Sequence, residues 1–464
     1  MTEAPNSWPS ITTLGELKAA GYTYKTVREE MRDNLIAILR AGENPWPGLH
    51  GLEHTVLPQV ERAIIAGHDI VLLGERGQGK TRLLRTLPLL LDAFVPAVEG
   101  SELREHPLNP VTDATKRRVE DEGDALPIVW IPREARYSEK LATPDTSVAD
   151  LIGDVDPMRV AEGRRLGDPE TIHYGLIPRS NRGIVAINEL PDLAERIQVA
   201  MLNVMEEADI QIRGYMLRLP LDVLVVASAN PEDYTNRGRI ITPLKDRFGA
   251  EIRTHYPVEL DDEIRVIEQE SQLTANVPQT IMEALARFTR ALRESDAVNQ
   301  RAGVSARFAV AGAETVAASA ARRAAITGEA PVARLVDLEA AVEVLGGKVE
   351  FEHGEEGREW DILEYLLRNS VAQALRPRIK GLDFTPLIEA LDGSTFITTG
   401  ENITAAEFLN GLPQLEGTLY EDIASTFNAE SEGERASAIE LAVEALYLTQ
   451  KISKDSGEGE SIYG

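Results

Sequence analysis

The stretch DIVLLGERGQGKT, residues 69–81, decides the fold class of this 464-residue chain. A short apolar run is followed at once by the pattern G-x-x-x-x-G-K-T, and the helical sequence RLLRTL comes next. A strand, a glycine-rich turn and a helix in this order are typical of a phosphate-binding loop, or P-loop. We therefore expect a nucleotide to contact eight residues: Gly74, Glu75, Arg76, Gly77, Gln78, Gly79, Lys80 and Thr81.

The residue types in this loop explain how it would hold ATP. Glycines let backbone N–H groups close around phosphate oxygens, and the start of the following helix adds its positive dipole end. Lys80 is expected to reach the β- and γ-phosphates, and the hydroxyl of Thr81 is expected to bind Mg²⁺. The sequence thus predicts ATP and Mg²⁺ as cofactors.

Short apolar runs alternate with helical patterns between about residues 50 and 257. Continuous apolar strands separated by helices predict a parallel sheet covered on both faces. The clearest strands are expected at residues 69–74, 127–131, 183–187 and 222–228, with 252–256 as a fifth.

Two polar residues, Asn188 and Glu189, follow the apolar run at 183–187. P-loop enzymes need groups of this kind to handle the metal ion and the attacking water. Glu189 is expected to be the base that polarises this water. Asn188 stands where an aspartate usually holds the water shell of Mg²⁺, and an amide brings no negative charge there. We therefore expect ATP hydrolysis to be measurable but slow.

Another polar residue, Asn230, follows the run at 222–228. A side chain at the carboxyl end of a parallel strand lies where ligands bind in such sheets. Asn230 is therefore expected to orient the attacking water or to contact the γ-phosphate.

The P-loop, the strand that ends in Asn188 and Glu189, and the strand before Asn230 follow one another in the order typical of AAA+ ATPases. The chain therefore resembles this family and, within it, the ATPase subunit of magnesium chelatase and the related MoxR proteins. The resemblance covers about residues 48–345 and implies an α/β P-loop AAA+ core with a parallel sheet and β-hairpin inserts. A helical lid and a mostly helical C-terminal region are expected to follow. Three segments carry the resemblance: HYGLIPRSNRGIVAINELPDL (173–193), VVASANPEDY (225–234) and TPLKDRFGAEI (242–252).

The resemblance also implies roles for single residues. Glu189 would be the catalytic glutamate and Asn230 the first sensor. Arg247 would be an arginine finger that acts on the ATP of a neighbouring subunit, and Arg307 would be the second sensor, in the lid. A guanidinium suits both tasks because its planar donors match phosphate oxygens.

The function that the resemblance implies is the remodelling of a partner protein by a homo-oligomeric ring. The partner is expected to carry a von Willebrand factor A-like domain. Two insertions fit this picture. Residues 147–176 resemble the helix-two insert of this clade, and residues 209–220 are predicted to form a β-hairpin. In the family, such hairpins line the pore of the ring or contact the partner.

The chain is expected to have four parts. They are an N-terminal helical segment (1–47), the nucleotide-binding core (48–257), the helical lid (258–350) and a C-terminal helical region with a disordered tail (351–464).

Composition restricts the remaining functions. With 48 Lys and Arg against 76 Asp and Glu, the net charge is −28, which argues against binding of a nucleic-acid backbone. The absence of cysteine excludes disulfides and thiolate chemistry. No apolar stretch is long enough to cross a membrane. We therefore expect a cytoplasmic location without membrane insertion.

Other functions stay open at this point. One is the ATPase subunit of a chelatase that inserts Mg²⁺ into a porphyrin. Another is a transcription regulator of the enhancer-binding kind, although its G-A-F-T-G-A loop is missing from the sequence. A third is a nucleotide-binding regulatory module with little turnover, which Asn188 keeps open.

Overall fold

The computed structural model describes the chain in two compact units, Met1–His255 and Tyr256–Gly464. The residues described are 10–156, 158, 161, 171–207, 209–212, 215–230, 238–299, 303–391, 395–457 and 459–464.

The first unit is built around a five-stranded sheet in which every pair of neighbouring strands is parallel. The strands of the first unit are β1 (Ile70–Leu73), β2 (Phe94–Val98), β3 (Ile128–Pro132), β4 (Tyr137–Leu141), β5 (Gly153–Val155), β6 (Ile172–Tyr174), β7 (Gly183–Asn188), β8 (Asp209–Ile212), β9 (Tyr215–Arg218), β10 (Val223–Ala229) and β11 (Ala250–Arg253). The five strands of the main sheet lie in the order β11-β1-β10-β7-β4.

Helices cover both faces of this sheet, as predicted. Alternate residues of the central strands belong to two different apolar clusters, so that Ile70 and Leu72 pack on one side and Val71 and Leu73 on the other. The helices of the first unit are α1 (Leu14–Ala19), α2 (Val27–Ala41), α3 (Leu57–Ile65), α4 (Lys80–Thr86), α5 (Asp113–Glu122), α6 (Val148–Leu151), α7 (Leu176–Arg179), α8 (Glu195–Glu207) and α9 (Thr242–Arg247).

One predicted strand of the parallel sheet is wrong, and one real strand was missed. The run at 127–131 forms β3, but β3 pairs antiparallel with β2 outside the main sheet. The place beside β7 is taken by β4, whose sequence YSEKL is largely polar. An edge strand tolerates such residues because only one of its sides pairs with the sheet, so its sequence lacks the apolar run of a central strand.

The predicted hairpin is confirmed, since β8 and β9 pair antiparallel from Asp209↔Arg218 to Ile212↔Tyr215. Its turn, residues 213–214, lies outside the described residues. In the insertion at 147–176, β5 pairs antiparallel with β6. Residues 157, 159–160 and 162–170 of this insertion also lie outside them.

A buried ion pair connects helix α2 to Arg136, the residue directly before the edge strand β4. Both guanidinium Nη atoms of Arg136 donate to the carboxylate of Glu30 at 2.7 Å, and both side chains are at most 5% exposed. The backbone N–H of Asp92 also donates to this carboxylate, at 2.6 Å. Glu30 therefore joins three separate segments through one charge.

The second unit is mostly helical, as predicted. Its helices are α10 (Leu260–Glu270), α11 (Gln279–Glu294), α12 (Ala306–Thr327), α13 (Leu335–Leu345), α14 (Glu359–Ile379), α15 (Thr385–Leu391), α16 (Ala405–Asn410), α17 (Leu419–Thr426) and α18 (Glu432–Leu448). None of the helices in the described ranges of the chain is long and apolar enough to span a membrane.

The core of the second unit continues across the expected boundary at residue 350. Leu363, Leu367 and Val371 of α14 belong to the same apolar cluster as Leu285 and Phe288 of α11. The expected division of the chain into a lid and a C-terminal region stays a prediction, and in the structure the two share this cluster.

The expected disordered tail is wrong. A three-stranded antiparallel sheet contains β12 (Ile397–Gly400), β13 (Lys454–Gly457) and β14 (Glu460–Tyr463), with β14 in the middle. Tyr463 is 1% exposed, and its hydroxyl donates to Glu444 at 2.6 Å. The last residues are small and charged in composition, but one buried aromatic ring and the pairing of the backbone on both sides hold them in place.

Replacing Glu30 with glutamine should destabilise the first unit strongly. The change leaves the Arg136 guanidinium buried without its counter-charge, which typically costs about 3–5 kcal/mol. Asp33→Asn is the matched control on the same helix, because Asp33 pairs with Lys25 at a position where both side chains are at least 42% exposed. That change should cost less than about 1 kcal/mol. Urea unfolding measures the free energy of unfolding of both variants. Equal decreases in the two variants would contradict a stabilising role for the buried Glu30–Arg136 pair.

Replacing Tyr463 with alanine should destabilise the second unit by about 3–5 kcal/mol, the usual cost of removing a buried aromatic ring. Ile462→Ala provides the control in the next position, because that side chain is 41% exposed. Thermal unfolding of both variants tests this. A tail that contributes nothing to the fold would give two unchanged transitions.

Candidate functional site

The P-loop connects the carboxyl end of β1 to the start of α4. Gly77 and Gly79 have φ angles of 79° and 76°, the left-handed region that glycine enters without steric cost. Helix α4 begins at Lys80, directly after Gly79. This backbone path is the one that the glycine spacing predicts for a loop around phosphate groups.

The loop is fixed to the neighbouring strand by the side chain of Gln78. Its Oε1 accepts hydrogen bonds from the backbone N–H of Glu75 at 3.0 Å and from the Thr254 hydroxyl at 2.8 Å. Thr254 follows β11, and its own N–H donates to the carbonyl of Leu73 at 2.7 Å. A Cβ placed on Gly74 would lie 1.9 Å from the Thr254 hydroxyl oxygen and 2.2 Å from Gln78 Oε1. Only glycine therefore fits at position 74.

Lys80 lies inside the loop and is 7% exposed. Its ammonium group donates to the carbonyl oxygens of Gly74 and Glu75, the latter at 2.7 Å. A buried cation beside backbone N–H groups in a glycine loop fits a phosphate chain, because burial makes a counter-charge valuable. The residues present therefore fit a nucleoside triphosphate.

Asn188 and Glu189 lie at the carboxyl end of β7, as predicted. Asn188 is 7% exposed and uses both ends of its amide: Oδ1 accepts from the Ser228 hydroxyl at 3.0 Å, and Nδ2 donates to Glu139 Oε1 at 2.7 Å. Glu189 has a φ of 55°, and its N–H donates to the Ser228 hydroxyl at 3.4 Å. Ser228 therefore connects β10 to both residues.

The carboxylate of Glu139, on β4, also holds Arg85 of α4. Arg85 Nε lies 2.8 Å from Oε2 and Nη2 lies 3.0 Å from Oε1. These hydrogen bonds from Arg85 lower the pKa of Glu139 below its ordinary value, and its contacts with Tyr137 and Asn188 act in the same direction. Glu139 is therefore ionised at neutral pH.

The strand register brings most of the predicted residues to one edge of the sheet. Leu73 pairs with Ala229 and with Arg253, and Ile187 pairs with Ala227. Gly74, Asn188, Glu189 and Asn230 therefore all lie at, or directly after, the carboxyl ends of neighbouring parallel strands, the edge where such sheets bind ligands. Asn230 is 5% exposed there. The oxygen atoms of Thr81 and Asn188 suit Mg²⁺, which prefers oxygen ligands together with phosphates.

The two predicted arginines lie elsewhere. Arg247 ends α9, is exposed, and donates from Nη2 to the carbonyl of Met205 at 2.6 Å. It precedes β11, and Gly249 contacts His68 just before β1. Arg247 therefore belongs to the side of the sheet where these strands begin, opposite the P-loop. Arg307 is in the second unit, where it is the exposed second residue of α12.

Sequence reasoning missed four residues of this site. Thr254 and Ser228 lie near the ends of predicted strands. Their place in the site follows from the register of the parallel strands, which the sequence alone does not give. Glu139 was missed because its strand was not predicted. Arg85 was missed with it, because its role in the site is to pair with Glu139.

The strand order and the P-loop together fit an α/β P-loop fold of the AAA+ type. No protein-family model matches the chain. The chain is 28% identical over 237 residues to a protein named magnesium-chelatase 38 kDa subunit from Cereibacter sphaeroides, covering 48% of this chain and 62% of the relative. It is 26% identical over 244 residues to the protein of the same name from Rhodobacter capsulatus, with coverages of 52% and 63%.

The predicted resemblance to magnesium-chelatase AAA+ proteins is confirmed by these relatives, although the chain spans less than two thirds of their length. The MoxR part of the resemblance stays a prediction. Among solved structures, the chain is similar to one described as a model of the complex between subunits BchI and BchD of magnesium chelatase. The identity is 21%, the TM-score is 0.34, and the match covers 69% of this chain and 98% of the other.

Replacing Gly74 with alanine should prevent nucleotide binding, because the added Cβ displaces the Thr254 and Gln78 side chains that hold the loop. Gly347→Ala is the control, since no atom lies within 4 Å of a Cβ at that position. Binding of a fluorescent ADP analogue by both variants measures this. Wild-type affinity in the Gly74 variant would contradict the geometry of the loop.

Proposed function

We infer that the protein binds Mg²⁺–ATP at the carboxyl edge of the sheet in the first unit and hydrolyses it. The observation that carries this function is the P-loop held by Gln78 and Thr254, with buried Lys80 inside it. The polar residues Asn188 and Asn230 at the ends of the neighbouring strands add to it.

Each residue of the loop then has a task. Backbone N–H groups of the loop and the ammonium group of Lys80 hold the phosphates. The hydroxyl of Thr81 and the amide oxygen of Asn188 would hold the metal ion or its waters. When bound, Mg²⁺ neutralises charge on the phosphate oxygens and orients them.

Glu189 is the proposed general base. It follows the last buried residue of β7, and its left-handed backbone, with a φ of 55°, sets it at the turn that leaves the sheet. From there its carboxylate takes the proton of the attacking water, and Asn230 orients the same water. The neutral amide at position 188 gives the metal ion less charge than an aspartate would, which is why we expect slow turnover.

Arg247 is the proposed arginine finger for a neighbouring copy of the chain. Its exposure and its place near the opposite edge of the sheet from the P-loop support a role at the nucleotide of a neighbour. A guanidinium supplied in this way stabilises the charge that develops on the transferred phosphoryl group. Arg307 is proposed to contact the nucleotide as the second sensor. Activity would then require a homo-oligomeric ring.

The energy of hydrolysis is proposed to remodel a partner protein in the cytoplasm. The family resemblance favours a partner with a von Willebrand factor A-like domain. A partner that works together with a chelatase is the second candidate, because the relatives are named as magnesium-chelatase subunits. The two candidates share the ATPase site and differ only in what copurifies with the protein.

Glu189→Gln should lower steady-state phosphate release by roughly 100-fold or more, the usual contribution of a general base, and leave nucleotide binding intact. Glu195→Gln is the control, because Glu195 is an exposed residue at the start of α8. Arg247→Ala should be inactive alone. A mixture of the Glu189 and Arg247 variants should regain activity, since the finger of one copy then meets the base of the other.

Two results would contradict this function. Equal phosphate release by the wild type and the Glu189 variant would exclude Glu189 as the base. A mixture as inactive as its components would exclude a finger that acts between copies.

A further inference from the structure

The carboxylate of Glu139 lies beside the one position where this site lacks an expected charge. We propose that Glu139 supplies the negative charge of the Mg²⁺ site that an aspartate at position 188 would otherwise bring, with the Asn188 amide as the connection. The proposal rests on the proposed function, because it concerns the metal ion that accompanies the nucleotide.

The first argument is the match between the two side chains. Asn188 Nδ2 donates to Glu139 Oε1 at 2.7 Å, and this hydrogen bond needs an amide on one side and a carboxylate on the other. An aspartate at 188 would place two carboxylates at that distance, and they would repel each other. The amide at 188 and the carboxylate at 139 therefore form a complementary pair.

The hydrogen bond also fixes the orientation of the amide. Because Nδ2 faces Glu139 and Oδ1 accepts from Ser228, the oxygen is the atom turned toward β10. A carboxylate that accepts from a ligand-bearing group holds it in place and makes its oxygen more basic. Glu139 thus makes the Asn188 oxygen a better hydrogen-bond acceptor for water molecules bound to the metal ion.

The second argument is the position of Glu139 relative to Thr81. Thr81 and Arg85 are four residues apart on α4 and lie on one face of the helix. The Arg85 guanidinium is held by Glu139. Glu139 is therefore connected both to the helix that carries Thr81 and, through its hydrogen bond, to Asn188.

Arg85 is a cation already bound to this carboxylate. Its side chain is 64% exposed, and an ion pair with such an exposed partner contributes little to stability. A divalent cation or its water shell can therefore take the place of the guanidinium on Glu139. The alternative is that Glu139 serves only to attach α4 to β4, and the two roles differ in what happens when Arg85 is removed.

The test is the Mg²⁺ dependence of nucleotide binding, measured with the fluorescent analogue mant-AMP-PNP. Full-length protein is titrated with Mg²⁺ from an EDTA baseline, and the Mg²⁺ concentration at half-maximal gain in affinity is recorded. Four proteins are compared: the wild type, Glu139→Gln, Arg85→Gln, and the double variant that combines Glu139→Gln with Asn188→Asp. Circular dichroism verifies that each is folded.

Loss of the carboxylate in Glu139→Gln should raise the half-maximal Mg²⁺ concentration roughly 10- to 100-fold, the usual effect of removing a group that supports a metal ligand. Arg85→Gln breaks the same ion pair but keeps the carboxylate, so its value should stay at or below that of the wild type. The double variant moves the charge to position 188 and should return to within about threefold of the wild type.

Three results would overturn the proposal. They are a Glu139 variant with the Mg²⁺ dependence of the wild type, an Arg85 variant as impaired as the Glu139 variant, and a double variant that regains nothing. If Glu139→Gln fails to fold, Arg85→Gln still decides, because a raised half-maximal Mg²⁺ concentration in that variant would overturn the proposal. A wild type that does not bind the nucleotide at all would instead overturn the proposed function.

Discussion

The contact between Gln78 and Thr254 is the interaction on which the nucleotide site depends. One carboxamide oxygen accepts from the loop backbone and from the residue after β11, so the P-loop is held by a strand far away in the sequence. The register of β1 with β10 and β11 then puts Gly74, Asn230 and Thr254 side by side at one edge. A slip of one residue in either pairing would turn these side chains to the other face.

The distribution of charge in the site follows from the same arrangement. A bound triphosphate and its metal ion need positive charge near the phosphates and negative charge near the metal ion. Lys80 provides the former inside the loop. Near the expected metal position, the residue at the end of β7, Asn188, is neutral, and the carboxylate hydrogen-bonded to it, Glu139, belongs to β4. In the proposed metal site, the pairing of β4 with β7 is therefore part of the chemistry as well as of the fold.

The sequence predicted those features that are local. The P-loop, the ends of β7 and β10 and the hairpin of β8 and β9 all have patterns within a few residues. It did not predict β4, because a half-exposed edge strand needs no apolar run, and Glu139 was missed with it. Thr254 was missed because its partner Gln78 is 176 residues away. The ordered C-terminus was missed because its composition is polar, while its stability comes from Tyr463 and from pairing with β12.

The central claim is that the loop around Lys80 binds ATP, and calorimetric titration of the full-length protein with Mg²⁺–ATP tests it most directly. The account predicts saturable binding of one ATP per chain by the wild type and loss of that binding when Lys80 is replaced by alanine. No binding by the wild type, or the same affinity in the Lys80 variant, would contradict it.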